Sequence, residues 1–115
     1  MTKKDPKWRK MKYGENIVVS KLVAEYNLFS LDVFPYTHCK ARIWHESEDF
    51  YLALSNIEIK IGDDRFDGTS GHGKTEQEAL NKLIENLLSL ISYYEIKWNR
   101  KLESEDYNYL DPDDF

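Results

Sequence analysis

The residues best placed to do chemistry run from Gly68 to Thr75, Gly-Thr-Ser-Gly-His-Gly-Lys-Thr. They fit the phosphate-loop pattern G-x-x-x-x-G-K-[ST] letter for letter. In that setting backbone N–H groups cradle a phosphate, the lysine meets its oxygens and the hydroxyl holds magnesium. The pattern needs a buried, continuously apolar strand of a parallel sheet before it. Here Asp63-Asp64-Arg65-Phe66-Asp67 precede it, and four of those five are charged. It also needs a later apolar strand ending in a metal-binding Asp, and only one helix and an acidic tail follow Thr75. The sequence therefore predicts no nucleotide hydrolysis. The glycines are expected to make a tight strand-to-helix turn capped by Thr75. A helix N-terminus that takes some other anion stays open.

The other reactive residues make no recognisable centre. His38, Cys39 and His45 could gather around zinc, but adjacent strand residues point to opposite faces. Asp63, Asp64 and Asp67 lack calcium-loop spacing, because position 65 is Arg and Lys74 stands where the twelfth, acidic ligand belongs. Cys39 shares a strand face with Ala41 and Ile43 and reads as a core residue. No catalytic residue, metal site or cofactor is expected, and the chain is not expected to be an enzyme. Lys40, Arg42 and Trp44 fall on the opposite strand face. Basic residues interleaved with an aromatic can stack on and neutralise single-stranded nucleic acid. The alternative is a solvated face on which Trp8 and Tyr13 of the N-terminal arm cover Trp44.

Several elements must carry these residues. Thr75 and Glu78 form a capping box, with Glu78 expected to reach back to the Thr75 amide. The helix follows with Ala79, Leu80, Leu83, Ile84, Leu87, Leu88 and Ile91, and has no glycine or proline until Pro112, so it is expected to run to about Leu102. Strands of ordinary length, ~17–20 Å, would cover only half of it. Tyr94, Trp98 and Leu102 continue the apolar stripe of Leu80, Ile84, Leu87 and Ile91 into the overhang, and are expected to be a contact surface. Three occupants stay open: the arm with Trp8, Met11 and Tyr13, a second copy paired antiparallel through this helix, or a foreign protein.

Period-two alternation marks strands at Phe29–Val33, Cys39–Glu46, Phe50–Leu54 and Ile57–Ile61, joined by short turns and hence antiparallel. Residues 15–27 are ambiguous. Val19, Leu22, Val23 and Tyr26 have helical spacing, Ile17-Val18-Val19 favours strand, and a short helix is the reading preferred. The fold expected is α+β: an antiparallel sheet of three to four strands packed on a long C-terminal helix.

The 115 residues make one domain. The boundaries expected are a basic arm at 1–14, an α+β domain at 15–102 and an acidic tail at 103–115. The net charge of −5 hides an asymmetry. Six basic residues against Asp5 give residues 1–12 a charge of +5, and Glu103, Glu105, Asp106, Asp111, Asp113 and Asp114 give the tail −6. The tail is read either as a solvated end or as an acidic segment that mimics a phosphate chain or docks on a basic partner, with Asp111, Asp113 and Asp114 as its contacts. One cysteine allows no internal disulfide and suits a reducing compartment. With no apolar signal-like segment in the first twelve residues and no membrane-spanning run, a cytoplasmic protein is expected.

The stretch from 56 to 88 resembles a double-stranded-RNA-binding domain, through Phe66, Gly68, Gly71, Gly73, Lys74 and Ala79 at the last strand-to-helix junction. The resemblance implies an α-β-β-β-α order. Where that family places phosphate-bridging lysines, this chain has Thr75, Glu76, Gln77 and Glu78, and two carboxylates there oppose an RNA backbone. Gly-Lys-Thr-Glu-Gln-Glu-Ala-Leu after a β meander is also similar to small accessory proteins of bacteriophages, and to antitoxins with a partial RNA-binding fold. The function expected is a non-enzymatic protein-binding module, in the manner of a phage-encoded accessory or inhibitor protein acting on a host protein. The alternative is a nucleic-acid-binding module that uses the basic arm and the Lys40–Arg42–Trp44 strip.

Overall fold

The computed structural model describes residues 19–30, 34–111, 113 and 115, with only the backbone at 30 and 34–38. The basic arm, the aromatic residues proposed to fold back from it, and Asp114 lie outside the described residues. Strands β1 (Lys21–Ser30), β2 (Phe34–Ser47), β3 (Phe50–Gly62) and β4 (Arg65–Gly73) precede helix α1 (Glu76–Trp98), and a short strand β5 (Tyr107–Tyr109) follows it. The strands form one antiparallel sheet in the order β1-β2-β3-β4, with β5 paired to β3. The fold is α+β, an antiparallel sheet packed against one helix near the C-terminus, as the alternation and the helical spacing predict. Among the described residues, no helix is long and apolar enough to cross a membrane.

The first element corrects the helix expected at 15–27: residues 21–30 are strand. The register explains the misleading spacing. Leu22 pairs with Trp44, but Ala24 pairs with Ile43, so a bulge at Val23 breaks the period of two. The described order is therefore β-β-β-β-α-β. The glycine-rich stretch is a second correction. Gly68, Gly71 and Gly73 belong to strand β4 rather than to a turn. The β3–β4 turn is Asp63-Asp64, with Asp64 in the left-handed region at φ 56°.

Helix α1 packs chiefly on β4 and β3. Gly71 and Gly73 make that approach possible. A Cβ on Gly71 would stand 2.6 Å from the Ala79 carbonyl and 2.7 Å from the Leu83 Cα, and one on Gly73 would stand 2.9 Å from the Ala79 amide. Asn86 adds a hydrogen bond of 2.7 Å to the Ser70 carbonyl. The helix buries Ala79, Leu83, Leu87 and Ile91 against Cys39, Ala41, Ile43, Ala53, Ile57 and Ile59.

The helix stops at Trp98, four residues short of the end expected. Asn99 takes the left-handed conformation, its amide donates to Ile96 and the Arg100 amide donates to Glu95, a Schellman closure. The chain then folds back. Residues 104–106 make one 3-10 turn and β5 joins the sheet.

Candidate functional site

The expected overhang does not exist. β3 has 13 residues, about 43 Å of strand, while the 23-residue helix is about 34 Å long. The sheet is thus long enough to back the whole of α1, and the core cluster that α1 packs on extends to Trp98. Leu102 is buried beside Tyr107, and Tyr94 and Trp98 pack half-buried on the same cluster. Leu102 is core, and Tyr94 and Trp98 pack on its edge with part of each ring still accessible. Of the proposed tail contacts, Asp111 and Asp113 are exposed, and the Asp113 amide donates to the Asp111 carboxylate at 2.9 Å.

The other predicted strip is a real neighbourhood. Cys39, Ala41 and Ile43 are fully buried under the helix side of the sheet, so Lys40, Arg42 and Trp44 project from the opposite face. The register extends that face across the sheet. Leu22, Trp44, Leu52 and His72 form one row, and Arg42, Leu54 and Ser70 the next. Phe50 stacks on His72 with ring centroids 5.6 Å apart. Leu22 and Phe50 are each 40% exposed. Three features missed by sequence reasoning thus join the strip: Leu22, which the bulge turns to this side; Glu25; and Phe115.

Glu25 holds both cations. Its carboxylate accepts a 3.0 Å hydrogen bond from Lys40 Nζ and lies 3.5 Å from Arg42 Nε, an ion pair without hydrogen-bond geometry. The Lys40 hydrogen bond, with the charges of Lys40 and Arg42, holds the Glu25 carboxyl below its usual range against the opposing effect of desolvation. Phe115 comes from 73 positions away to meet Arg42. Arg42 Nη1 donates to the Phe115 main-chain oxygen at 2.8 Å, and the guanidinium carbon lies 4.6 Å from the ring centroid. The Arg42 side chain is 15% exposed as a result of these contacts and those of its strand neighbours.

Asn56 positions this arrangement. Before it, β3 pairs with β2; after it, Ile57, Glu58 and Ile59 pair with β5. Asn56 fills the fork. Its Oδ1 accepts from the Lys40 amide at 2.7 Å, its Nδ2 donates to the Leu110 carbonyl at 3.1 Å, and its own carbonyl accepts from the Leu110 amide at 2.7 Å.

The phosphate-loop letters have no loop to act in. At the helix start Thr75 Oγ1 accepts from the Glu78 amide at 3.1 Å, the predicted half of the capping box. The Glu78 carboxylate accepts from the Lys74 amide at 2.7 Å, one residue earlier than expected. A carboxylate therefore already sits on that donor. Among the described residues, no three of His, Cys, Asp and Glu come together as a metal site.

A second exposed surface lies on the outer side of α1, where Leu88, Tyr93 and Ile96 are exposed and a cleft is lined by Ser92, Glu95, Ile96, Asn99, Arg100 and Lys101. No protein-family model, no curated protein and no solved structure matches the chain.

Proposed function

We propose that the chain is a non-enzymatic protein-binding module that docks its partner on the sheet face turned away from α1. The observation that carries this reading is the row Leu22, Trp44, Leu52 and His72 with Phe50 beside it, an apolar and aromatic band on the side opposite the helix. Contiguous apolar surface rimmed by polar groups is characteristic of interaction sites. Aromatic and arginine side chains are the residues most enriched at binding hot spots. Lys40, Arg42 and Glu25 leave one net positive charge between them, enough for a few carboxylates but a weak anchor for a nucleic-acid backbone, whose affinity grows with the number of phosphates neutralised.

The test is affinity capture from a bacterial lysate with three full-length chains: wild type, Leu22→Asp with Phe50→Asp, and Ile96→Asp on the outer helix side. A protein retained by wild type and by Ile96→Asp, but lost from the double variant, supports the reading. A protein lost only with Ile96→Asp moves the interface to the helix. Salt-sensitive binding of a single-stranded oligonucleotide that vanishes with Trp44→Ala replaces the protein partner by nucleic acid.

A further inference from the structure

One polar contact on the proposed docking face already has an occupant from this chain. Arg42 receives an aromatic ring on its guanidinium plane and a main-chain oxygen on Nη1, both from Phe115. Glu25 braces the guanidinium from the β1 side. The segment that delivers Phe115 leaves the sheet at Leu110, whose amide and carbonyl are both held by Asn56. The segment is Leu-Asp-Pro-Asp-Asp-Phe, three carboxylates ahead of one aromatic residue. Lys40, Arg42 and Glu25 together carry one net positive charge, on a chain whose total is −5. The immediate surroundings of Arg42 therefore favour an acidic segment where the chain as a whole repels one.

We propose that Arg42 is a recognition site for an extended acidic segment carrying an aromatic residue, and that Phe115 is its resident occupant, displaced when a partner supplies the same chemistry. This rests on the docking reading above and names the chemistry of the partner. The cation–π and hydrogen-bond geometry selects a ring next to a main-chain oxygen, while the surrounding net charge selects carboxylates beside it. A tethered occupant acts at an effective concentration of order millimolar. Such a tether blocks weak ligands and yields to a partner that also covers Leu22, Trp44 and Phe50.

The experiment uses the full-length chain with Phe115→Ala and, as probe, the peptide Leu-Asp-Pro-Asp-Asp-Phe. Backbone amide shifts are followed during titration. The expected result is saturable binding to the Phe115→Ala chain about ten-fold tighter than to wild type, the ratio that a tether of about 1 mM effective concentration gives against a peptide binding at about 0.1 mM, with shifts at Glu25, Lys40, Arg42 and Trp44. The peptide with Ala in place of Phe should not bind, and adding Arg42→Ala should abolish binding. Equal affinity for wild type and Phe115→Ala, or shifts confined to the outer side of α1, overturns the proposal. A Phe115→Leu chain, which keeps an apolar side chain but has no ring for Arg42, guards against a folding artefact and should also bind the peptide more tightly than wild type. Peptide binding at Arg42 without partner capture would uphold this site while removing the wider docking reading. Capture that depends on Leu22 and Phe50, with no peptide binding to Phe115→Ala, would do the opposite.

Discussion

Arg100 grips the buried carboxylate of Asp106 through two hydrogen bonds, Nη1 to Oδ2 at 2.6 Å and Nη2 to Oδ1 at 3.1 Å. The Glu103 amide donates to Oδ2 as well, at 2.7 Å. This clip turns the chain back after α1 and sets Leu102 and Tyr107 into the core. The Arg100 hydrogen bond is the main reason the Asp106 carboxyl is held below its usual range, against the opposing effect of burial.

An acid-sensitive stability follows. In the folded chain Asp106 releases its proton more readily than in the unfolded chain, so at low pH the unfolded chain binds more protons. The stabilisation is complete above the ordinary aspartate pKa of about 3.9 and is lost as pH falls below it. Urea unfolding measured from about pH 6 down to pH 2 should show a midpoint that is flat and then drops below about pH 4. Asp106→Asn should flatten most of that drop and lower stability at neutral pH. Among the described residues Glu25 is shifted the same way, by Lys40 and Arg42, and adds to the slope left over.

Asn56 should be intolerant of apolar replacement. Asn56→Leu keeps the size of the side chain but strands the Lys40 amide and the Leu110 carbonyl. An unsatisfied buried polar group costs about 1–3 kcal/mol. The variant should lose about 2 kcal/mol or more, with faster hydrogen exchange at the Lys40 and Leu110 amides. Unchanged exchange at both would show that the fork in the sheet holds without its side-chain plug.

The single thiol offers a probe of global opening. Cys39 is fully buried, and burial pushes its pKa up to about 11. Thiolate is the reactive form, so alkylation at neutral pH should be negligible in the folded chain and should rise with urea in step with unfolding. Labelling that proceeds in native buffer faster than global unfolding would reveal a local opening of β2.

How far these features could be read from sequence depends on the signal each carries. The two faces of β2 were legible because Cys39, Ala41 and Ile43 alternate with Lys40, Arg42 and Trp44 without interruption, and the start of α1 because Thr75 and Glu78 announce it. β1 was not, because the bulge at Val23 replaces alternation with a helix-like spacing. β4 was not, because its glycines carry no side chains to alternate, and two of them, Gly71 and Gly73, serve the approach of α1. Strands of 13 and 14 residues exceed the usual length, and that misjudged length created the false overhang of Tyr94, Trp98 and Leu102. The meeting of Arg42 with Phe115 spans too much sequence to leave any local pattern.

The glycines of β4 give the sharpest mutational contrast. Gly68 and Gly73 are the two glycines the phosphate-loop spelling requires, while Gly71 fills one of its free positions, so a phosphate-binding role would make Gly68 matter more than Gly71. The packing role makes a different demand. Gly71 faces α1 at its closest approach, where an added methyl group collides with the main chain of Ala79 and Leu83. Backbone on a packed helix cannot yield as a flexible side chain can, so the helix must lift off or the strand must shift. Overpacking costs typically 1–3 kcal/mol and more when backbone must move, so Gly71→Ala should destabilise the chain by about 3 kcal/mol or more. Gly68 projects from the other face, and a Cβ there would meet the Ile57 carbonyl at 3.7 Å and Glu58 Cγ at 3.8 Å, ordinary contact distances. Gly68→Ala should therefore be neutral or slightly stabilising, because it lowers the entropy of the unfolded chain. Thermal unfolding of the two variants beside wild type decides the matter. If Gly68→Ala is as damaging as Gly71→Ala, close packing of α1 on β4 is not what these glycines are for.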